Sequence, residues 1–255
     1  MNIDEKVLNR IKSIVKIGDE RVLACMKVGH ISKNRPIRAC FFATEFEMMV
    51  LEKVEHEGEL QVVEQLFWSD VTKLSVPNDS KFSVETIKTT VEIETPGSFA
   101  VASDVYACIC KLTSNCQLDV PVSGKIKPIT VSALFGLQRF KYALFKNGMS
   151  ASNSLVSGIE SAIRQQKSKL NLQNLRCSEK YLPDLLDVIE MMPCFTKIIF
   201  PASSTDTNWE IIYKFLKNTK HVESIGFTEK LNEKALISIA SLQENRNSKL
   251  SEIIF

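Results

Sequence analysis

The chain has 255 residues, of which 44% are hydrophobic and 24% are charged, enough for one large domain or two small ones with a proper core. The 32 basic and 30 acidic side chains leave a net charge of +2, which excludes a nucleic-acid binder that works by bulk charge. No apolar run approaches the ~18 residues of a membrane span, and the first residues lack the basic and apolar segments of a signal peptide.

The first 113 residues predict a small β domain. Apolar residues at helical spacing over residues 3–15 predict a short amphipathic helix. Seven strand-like runs separated by turn residues follow, namely Arg21–Val28, Pro36–Ala43, Phe46–Val54, Leu60–Trp68, Val71–Val76, Lys81–Thr86 and Lys88–Glu94. Pro96-Gly97 then opens an apolar helical segment. Seven strands and a C-terminal helix predict a pleckstrin-homology-like (PH-like) barrel over residues 1–113, with the helix at one end.

Residues 114–166 predict a helical linker. The connector at 114–129 contains two prolines and a glycine, and helical patterns resume at 130–146 and 154–166. These two helices are joined at Asn147-Gly148, a typical turn sequence.

A strand-like motif recurs four times in residues 167–255. Its two apolar anchors both recur at intervals of 28, 27 and 28 residues: Leu170, Ile198, Ile225 and Ile253, then Leu172, Phe200, Phe227 and Phe255. A strand plus a helix at this period is typical of long leucine-rich repeats, which stack on their neighbours to bury their apolar faces. The region therefore predicts the start of an α/β leucine-rich-repeat solenoid with about three repeats, although the consensus asparagine after each strand is missing.

The predicted fold class is thus α+β and multidomain: a PH-like seven-stranded barrel with a C-terminal helix, a helical linker, and the start of a leucine-rich-repeat solenoid. The chain ends at Ile253-Ile254-Phe255, in the strand of a fourth repeat whose helix is missing. A bare terminal repeat exposes an apolar face and an unpaired strand edge. We therefore expect a truncated chain, a partial gene, or a chain that associates with itself through this edge.

Four short strings follow one another along the second half of the chain: Tyr142-Ala-Leu-Phe-Lys-Asn-Gly148, Lys169-Leu-Asn-Leu-Gln173, Phe195-Thr196-Lys197 and Asn245-Arg-Asn-Ser-Lys-Leu250. Together with the order of barrel, linker and solenoid, they resemble the N-terminal half of the CARMIL family, the leucine-rich-repeat regulators of actin capping protein. The resemblance implies membrane association by the first domain and a scaffold role for the solenoid. The family's further repeats, dimerisation region and capping-protein motif do not fit in 255 residues, so direct regulation of capping protein is not implied.

No constellation of catalytic or metal-ligating residues is visible. His30, His56 and His221 stand apart from cysteine and carboxylate clusters, and no glycine-rich phosphate loop occurs. The seven cysteines are odd in number and scattered, as in reduced cytosolic proteins. We therefore expect no catalytic site, no metal and no cofactor. One alternative is that the chain is a GTPase-activating protein, because some of those proteins are built of similar repeats. Arg176 of this chain would then act on a nucleotide phosphate as an arginine finger.

The most informative charge pattern lies in the first domain. Residues 1–38 hold nine Lys or Arg against four acids, whereas residues 43–67 hold seven Glu against Lys53. The acidic stretch is most simply a solvated strand face. The basic loop Gly29–Arg35 between the first two strands predicts contact with lipid, at about 1 kcal/mol per basic residue. The candidate lipid-binding residues are Lys16, Arg21, Lys27, Lys33, Arg35 and Arg38.

The sequence thus predicts a non-enzymatic scaffold or adaptor of the actin cytoskeleton, cytoplasmic and peripheral at the plasma membrane. Its PH-like domain would bind anionic membrane lipids, and its repeats would bind cytoskeletal or small-GTPase-related proteins, with no nucleic acid. The alternatives are a protein-binding repeat module without a membrane role and a GTPase-activating repeat protein. Affinity for anionic lipid separates the first alternative from the main prediction.

Overall fold

The computed structural model describes residues 4–15, 21–32, 35–53, 59–114, 116–120, 126, 129, 132–150, 152–200, 208–228, 231–244 and 250–254. Contacts along the chain divide it into two compact units, a first unit of residues 1–130 and a second unit of residues 131–255. Among the described residues, no helix has both the length and the apolar character that crossing a membrane requires.

The first unit contains a short helix, eight strands and a longer helix. In chain order they are α1 (Glu5–Lys12), β1 (Val22–Ser32), β2 (Arg35–Thr44), β3 (Glu47–Lys53), β4 (Leu60–Phe67), β5 (Val71–Asn78), β6 (Lys81–Thr86), β7 (Thr90–Glu94), α2 (Ser98–Leu112) and β8 (Gln117–Asp119). The seven strands predicted from the sequence correspond to β1–β7.

The prediction of a seven-stranded barrel is nevertheless wrong. The strands form one eight-stranded sheet in the order β4-β3-β2-β1-β7-β6-β5-β8, in which β4 and β8 are the edges. The eighth strand comes from the connector and pairs in parallel with β5, whereas the other neighbours are antiparallel. The physical reason is that the outer side of β5 offers unpaired backbone groups, which the connector satisfies.

The sheet bends around an apolar core. Phe41 of β2 and Phe82 of β6 meet edge to face with ring centroids 6.1 Å apart, although two strands lie between β2 and β6 in the sheet. Helix α2 packs against β5 and β6. Trp68 is fully buried, and its indole Nε1 donates a hydrogen bond to the carbonyl of Thr44 (3.0 Å).

Helix α1 covers part of the opposite face of β1–β3. The side chain of Asp4 accepts hydrogen bonds from the amides of Lys6 and Val7 (both 3.2 Å), which caps the helix start. Val7 and Ile11 on the apolar side of α1 then pack on a small cluster from the three strands, made of Cys25, Cys40, Phe42, Met49 and Leu51. The strand residues next along this same face form the candidate site described below.

The second unit alternates helices with short strands. Its elements are α3 (Ala133–Lys146), α4 (Asn153–Arg164), β9 (Lys169–Asn171), α5 (Leu182–Ile189), β10 (Lys197–Phe200), α6 (Trp209–Asn218), β11 (Ser224–Phe227), α7 (Glu233–Glu244) and β12 (Glu252–Ile254). The strands form a parallel sheet in the order β12-β11-β10-β9. The first anchors of the four sequence motifs pair directly across it: Leu170, Ile198, Ile225 and Ile253.

The prediction of a leucine-rich-repeat solenoid is wrong as well. The second unit is a four-stranded parallel sheet whose core also takes in Leu137 and Phe140 of α3 and Leu155 of α4. A period of 27–28 residues is also the length of an ordinary strand–helix–strand crossover. The period therefore predicted the parallel pairing and its register, but it did not establish a repeat family.

Candidate functional site

A row of five residues crosses the first unit's sheet near the β1–β2 hairpin. Gly29 of β1 pairs with both Glu94 of β7 and Arg38 of β2. The β2–β3 register sets Arg38 beside Lys53, which in turn pairs with Leu60 of β4. Antiparallel pairing thus brings together side chains that lie far apart in the sequence.

This row lies in an open groove of about 570 Å³, which we call the basic groove. Among the described residues that line it, the cations are Lys27, Arg38 and Lys53, and the one carboxylate is Glu94. Three positive charges against one negative charge give these described lining residues a net charge of +2. The remaining lining is apolar or small: Val28, Gly29, Ala39, Cys40, Leu60 and Pro96. The arrangement favours an anionic ligand.

Gly29 provides the space in the middle of the groove. A Cβ atom at this position would stand 3.2 Å from the Cβ of Glu94, which is tighter than most real contacts, so the side chain of Glu94 lies close against Gly29. The strands that carry Glu94 and Arg38 lie on either side of β1, about 10 Å apart. Because Gly29 has no side chain, the floor of the groove between these strands is low.

The cations of the basic groove are largely available to a ligand. The side chain of Lys27 is 76% exposed, and its Nζ lies 3.8 Å from Oδ2 of Asp4, the residue that caps α1. An exposed pair at this distance contributes little. Arg38 and Lys53 are exposed and make no ion pair with the residues that the structure describes.

The thiol in the groove is not a candidate nucleophile. Burial raises the pKa of Cys40 above its ordinary value, and the nearby Lys27 offsets this only in part. A thiol that stays protonated at neutral pH is a poor nucleophile. The groove therefore offers charged binding groups, and Cys40 is not a reactive thiol among them.

The structure brings together only some of the predicted lipid-binding residues. Lys27 and Arg38 line the groove. Arg35 begins β2, where its backbone pairs with Ser32 in the hairpin. Arg21 is exposed before the other end of β1, where its carbonyl accepts a hydrogen bond from the amide of Glu45 (3.1 Å). Lys16 and Lys33 lie outside the described residues.

Lys53 is the site residue that sequence reasoning missed. It stood alone among seven glutamates and was grouped with a solvated acidic face. In the structure, two of those glutamates point inward: Glu47 is buried and accepts a hydrogen bond from Nε2 of Gln65 (2.7 Å), and Glu52 contacts Nδ1 of the buried His30 (2.5 Å). The strand register, which sets Lys53 beside Arg38, was the signal needed.

Arg176, the candidate arginine finger, lies in the turn after β9. Its side chain is exposed, its φ of 52° is in the left-handed region, and its amide donates a hydrogen bond to the carbonyl of Gln173 (3.0 Å). No three His, Cys, Asp or Glu side chains in the described ranges are placed to hold a metal ion.

No family model and no curated protein matches the sequence. Among solved structures, the chain is similar to an N-terminally truncated linker-DH/PH fragment of p115-RhoGEF, with 9% identity and a TM-score of 0.33 over 44% of this chain. It is also similar to the DH/PH fragment of PDZRHOGEF solved in complex with human RhoA (12% identity, TM-score 0.32, 42% of this chain). The hSac2 domain of human phosphoinositide phosphatase Sac2 gives 11% identity and a TM-score of 0.35, over 49% of this chain and 95% of that domain.

The chain spans 38% and 36% of the lengths of these two exchange-factor fragments. With TM-scores of 0.32–0.35, the likeness assigns neither a fold family nor a partner nor an activity to this protein. The functional argument therefore depends on the chain's own residues.

Proposed function

We propose that the protein is a non-enzymatic scaffold that docks reversibly on anionic membrane lipid through the basic groove of its first unit, while its second unit binds protein partners. The observation that carries this proposal is the convergence of Lys27, Arg38 and Lys53 on one open groove floored by Gly29. A phosphate or carboxylate headgroup between Arg38 and Lys53 would replace water around two cations that have no ion-pair partner among the described residues.

The expected affinity is modest. Each basic residue near an anionic leaflet contributes about 1 kcal/mol, so the three cations of the groove give about 3 kcal/mol before the opposing effect of Glu94. An affinity of this size is typical of reversible binding to a membrane. A second contact, such as a bound protein partner, would lengthen the time that the protein stays on the membrane. Exposed charges are also screened within about 10 Å at 0.1 M salt, so docking should weaken as salt rises.

Co-sedimentation of the full chain with vesicles tests the proposal. Vesicles of phosphatidylcholine with phosphatidylserine should pull the protein down at about 0.01 M salt and much less at about 0.15 M salt, where the Debye length falls from about 30 Å to about 8 Å. Vesicles of phosphatidylcholine alone are the control. Equal binding to both kinds of vesicle, or no binding at low salt, would reject the lipid role.

The proposal includes cytoskeletal or small-GTPase-related proteins as the partners and the inner face of the plasma membrane as the place of action. The four short sequence strings that are similar to the CARMIL family support this part, whereas the predicted order of barrel, linker and solenoid no longer does. A protein-binding module without a membrane role is the second candidate, and the open sheet face of the second unit, described below, favours it. The vesicle experiment separates the two. An arginine-finger role is tested by GTP hydrolysis of a small GTPase with the protein and with its Arg176→Ala variant, where no acceleration is expected.

A further inference from the structure

Among the described residues of the second unit, the helices share a core with one face of the parallel sheet. Leu170, Ile198 and Ile225 point into the core shared with the helices. Side chains alternate along a strand, so the residues next to them point the other way. They form two rows across the strands, which we call the open face: Lys169, Lys197, Ser224 and Glu252, then Asn171, Ile199, Gly226 and Ile254.

We expect the open face to be covered by another segment or by a partner. All-parallel sheets normally have both faces packed. Of the eight residues, Lys169 and Glu252 are exposed, Ser224 and Gly226 are buried, and the other four are half-buried. A partly exposed apolar strip bordered by charged and polar residues is a typical feature of a docking surface.

Charge on the open face is uneven. At the β12 end, the carboxylate of Glu252 accepts a hydrogen bond from Oγ of Ser224 (2.7 Å) and lies 3.4 Å from Nζ of Lys197. These contacts lower the pKa of Glu252 and balance its charge within the protein. At the β9 end, Lys169 and Lys167 have no ion pair with the described part of the chain. The open face is therefore electropositive on the β9 side.

A concavity of about 420 Å³ lies at this electropositive end, lined by Lys167, Ser168, Lys169, Asn171 and Asn174. The Oδ1 of Asn171 accepts a hydrogen bond from the amide of Asn174 (2.9 Å), which leaves the side-chain NH₂ group of Asn171 to act as a donor. Two ammonium groups and an amide donor form a suitable site for a carboxylate.

The apolar strip lies next to this concavity. Ile199 leans over Gly226, where a Cβ atom would stand only 3.3 Å from the Cγ1 of Ile199, and Ile254 follows on the next strand. The glycine keeps the strip flat. About 10 Å, two strand spacings, separates β9 from β11, a distance that an extended peptide covers in about three residues.

We propose that the open face binds an acidic segment of a partner protein, with carboxylates at Lys167 and Lys169 and an apolar side chain on the strip of Ile199, Gly226 and Ile254. The proposal deepens the scaffold role by naming the class of partner, and it does not depend on the basic groove. A nucleic acid fits less well, because the strip is apolar and the cations are few.

Fluorescence anisotropy with a labelled peptide of alternating Glu-Glu-Leu units tests the proposal on the full chain. Two control peptides carry Lys in place of Glu or Ser in place of Leu. We expect saturable binding of the acidic peptide, loss of about tenfold in affinity with Lys169→Glu, and a similar loss with Ile254→Ser. The matched control is Lys217→Glu on the helix side, which should bind within about twofold of the parent chain.

Equal binding of the three peptides, or equal losses with Lys169→Glu and Lys217→Glu, would overturn the proposal. A second experiment measures binding of the same variants to vesicles that contain phosphatidylserine. If Lys169→Glu reduces vesicle binding but leaves peptide binding unchanged, the open face is a lipid site and the proposal is wrong. If Arg38→Glu abolishes vesicle binding while peptide binding persists, the two surfaces act separately, and either one can fail without the other.

Discussion

Charge reversal at Lys53 is the most selective perturbation of the basic groove. The side chain is exposed at the end of β3, so Lys53→Glu should leave the fold intact. Losing one favourable contact of about 1 kcal/mol and adding one unfavourable contact of similar size changes the free energy of vesicle binding by about 2 kcal/mol, or about 30-fold in affinity. The neutral variant Lys53→Met should lose only about fivefold.

The assay is vesicle co-sedimentation at about 0.1 M salt across a lipid titration, with Lys88→Glu as the matched control. Lys88 is exposed in the β6–β7 turn, at the other end of β7 from Glu94. The five residues of β7 span about 15 Å, more than the Debye length of about 10 Å at 0.1 M salt. Equal losses with Lys53→Glu and Lys88→Glu would mean that overall charge governs binding and would refute the groove as the site.

Three further predictions concern the rest of the chain. The carboxyl of Glu252 should titrate below its ordinary pKa by NMR, chiefly through the hydrogen bond from Ser224, so Ser224→Ala should raise it. Its stabilising effect should be present at neutral pH and lost as the pH falls through the folded-state pKa. Burial raises the pKa of Cys177 to about 11, so a thiol reagent should modify it only after denaturation. Gly136→Val should lower the free energy of unfolding by about 1–3 kcal/mol in chemical denaturation, because a Cβ there already lies 2.9 Å from Cγ of Met192.

Local elements were predictable because their signals are local. The 27–28-residue spacing of apolar anchors set the parallel register of β9–β12, since each anchor must reach the same core. The strand runs of the first unit likewise located β1–β7. By contrast, β8 spans only the three residues Gln117–Asp119, too short for a periodic signal, and its formation depends on the free edge of β5.

The site was only partly predictable for the same reason. Lys27 and Arg38 flank a loop and could be found from their proximity in the sequence. Lys53 joins them only through the pairing of β3 with β2, and Glu94 joins them only through β7. A sequence shows which residues are charged, but strand order decides which charges meet. The glutamates near Lys53 in the sequence therefore made this part of the chain look acidic, although Lys53 lies beside the basic Arg38 of another strand.

The eighth strand determines where a fragment that contains only the first unit should end. Gln117–Asp119 covers the outer side of β5, and Asp119 forms an ion pair with Lys73 (3.1 Å). A fragment that stops at residue 113, where the sequence pattern would place the boundary, lacks β8. The outer side of β5 is then unpaired and can bind a strand of another chain. Fragments prepared for binding studies should therefore extend past Asp119, because aggregation through β5 would otherwise be mistaken for co-sedimentation with vesicles.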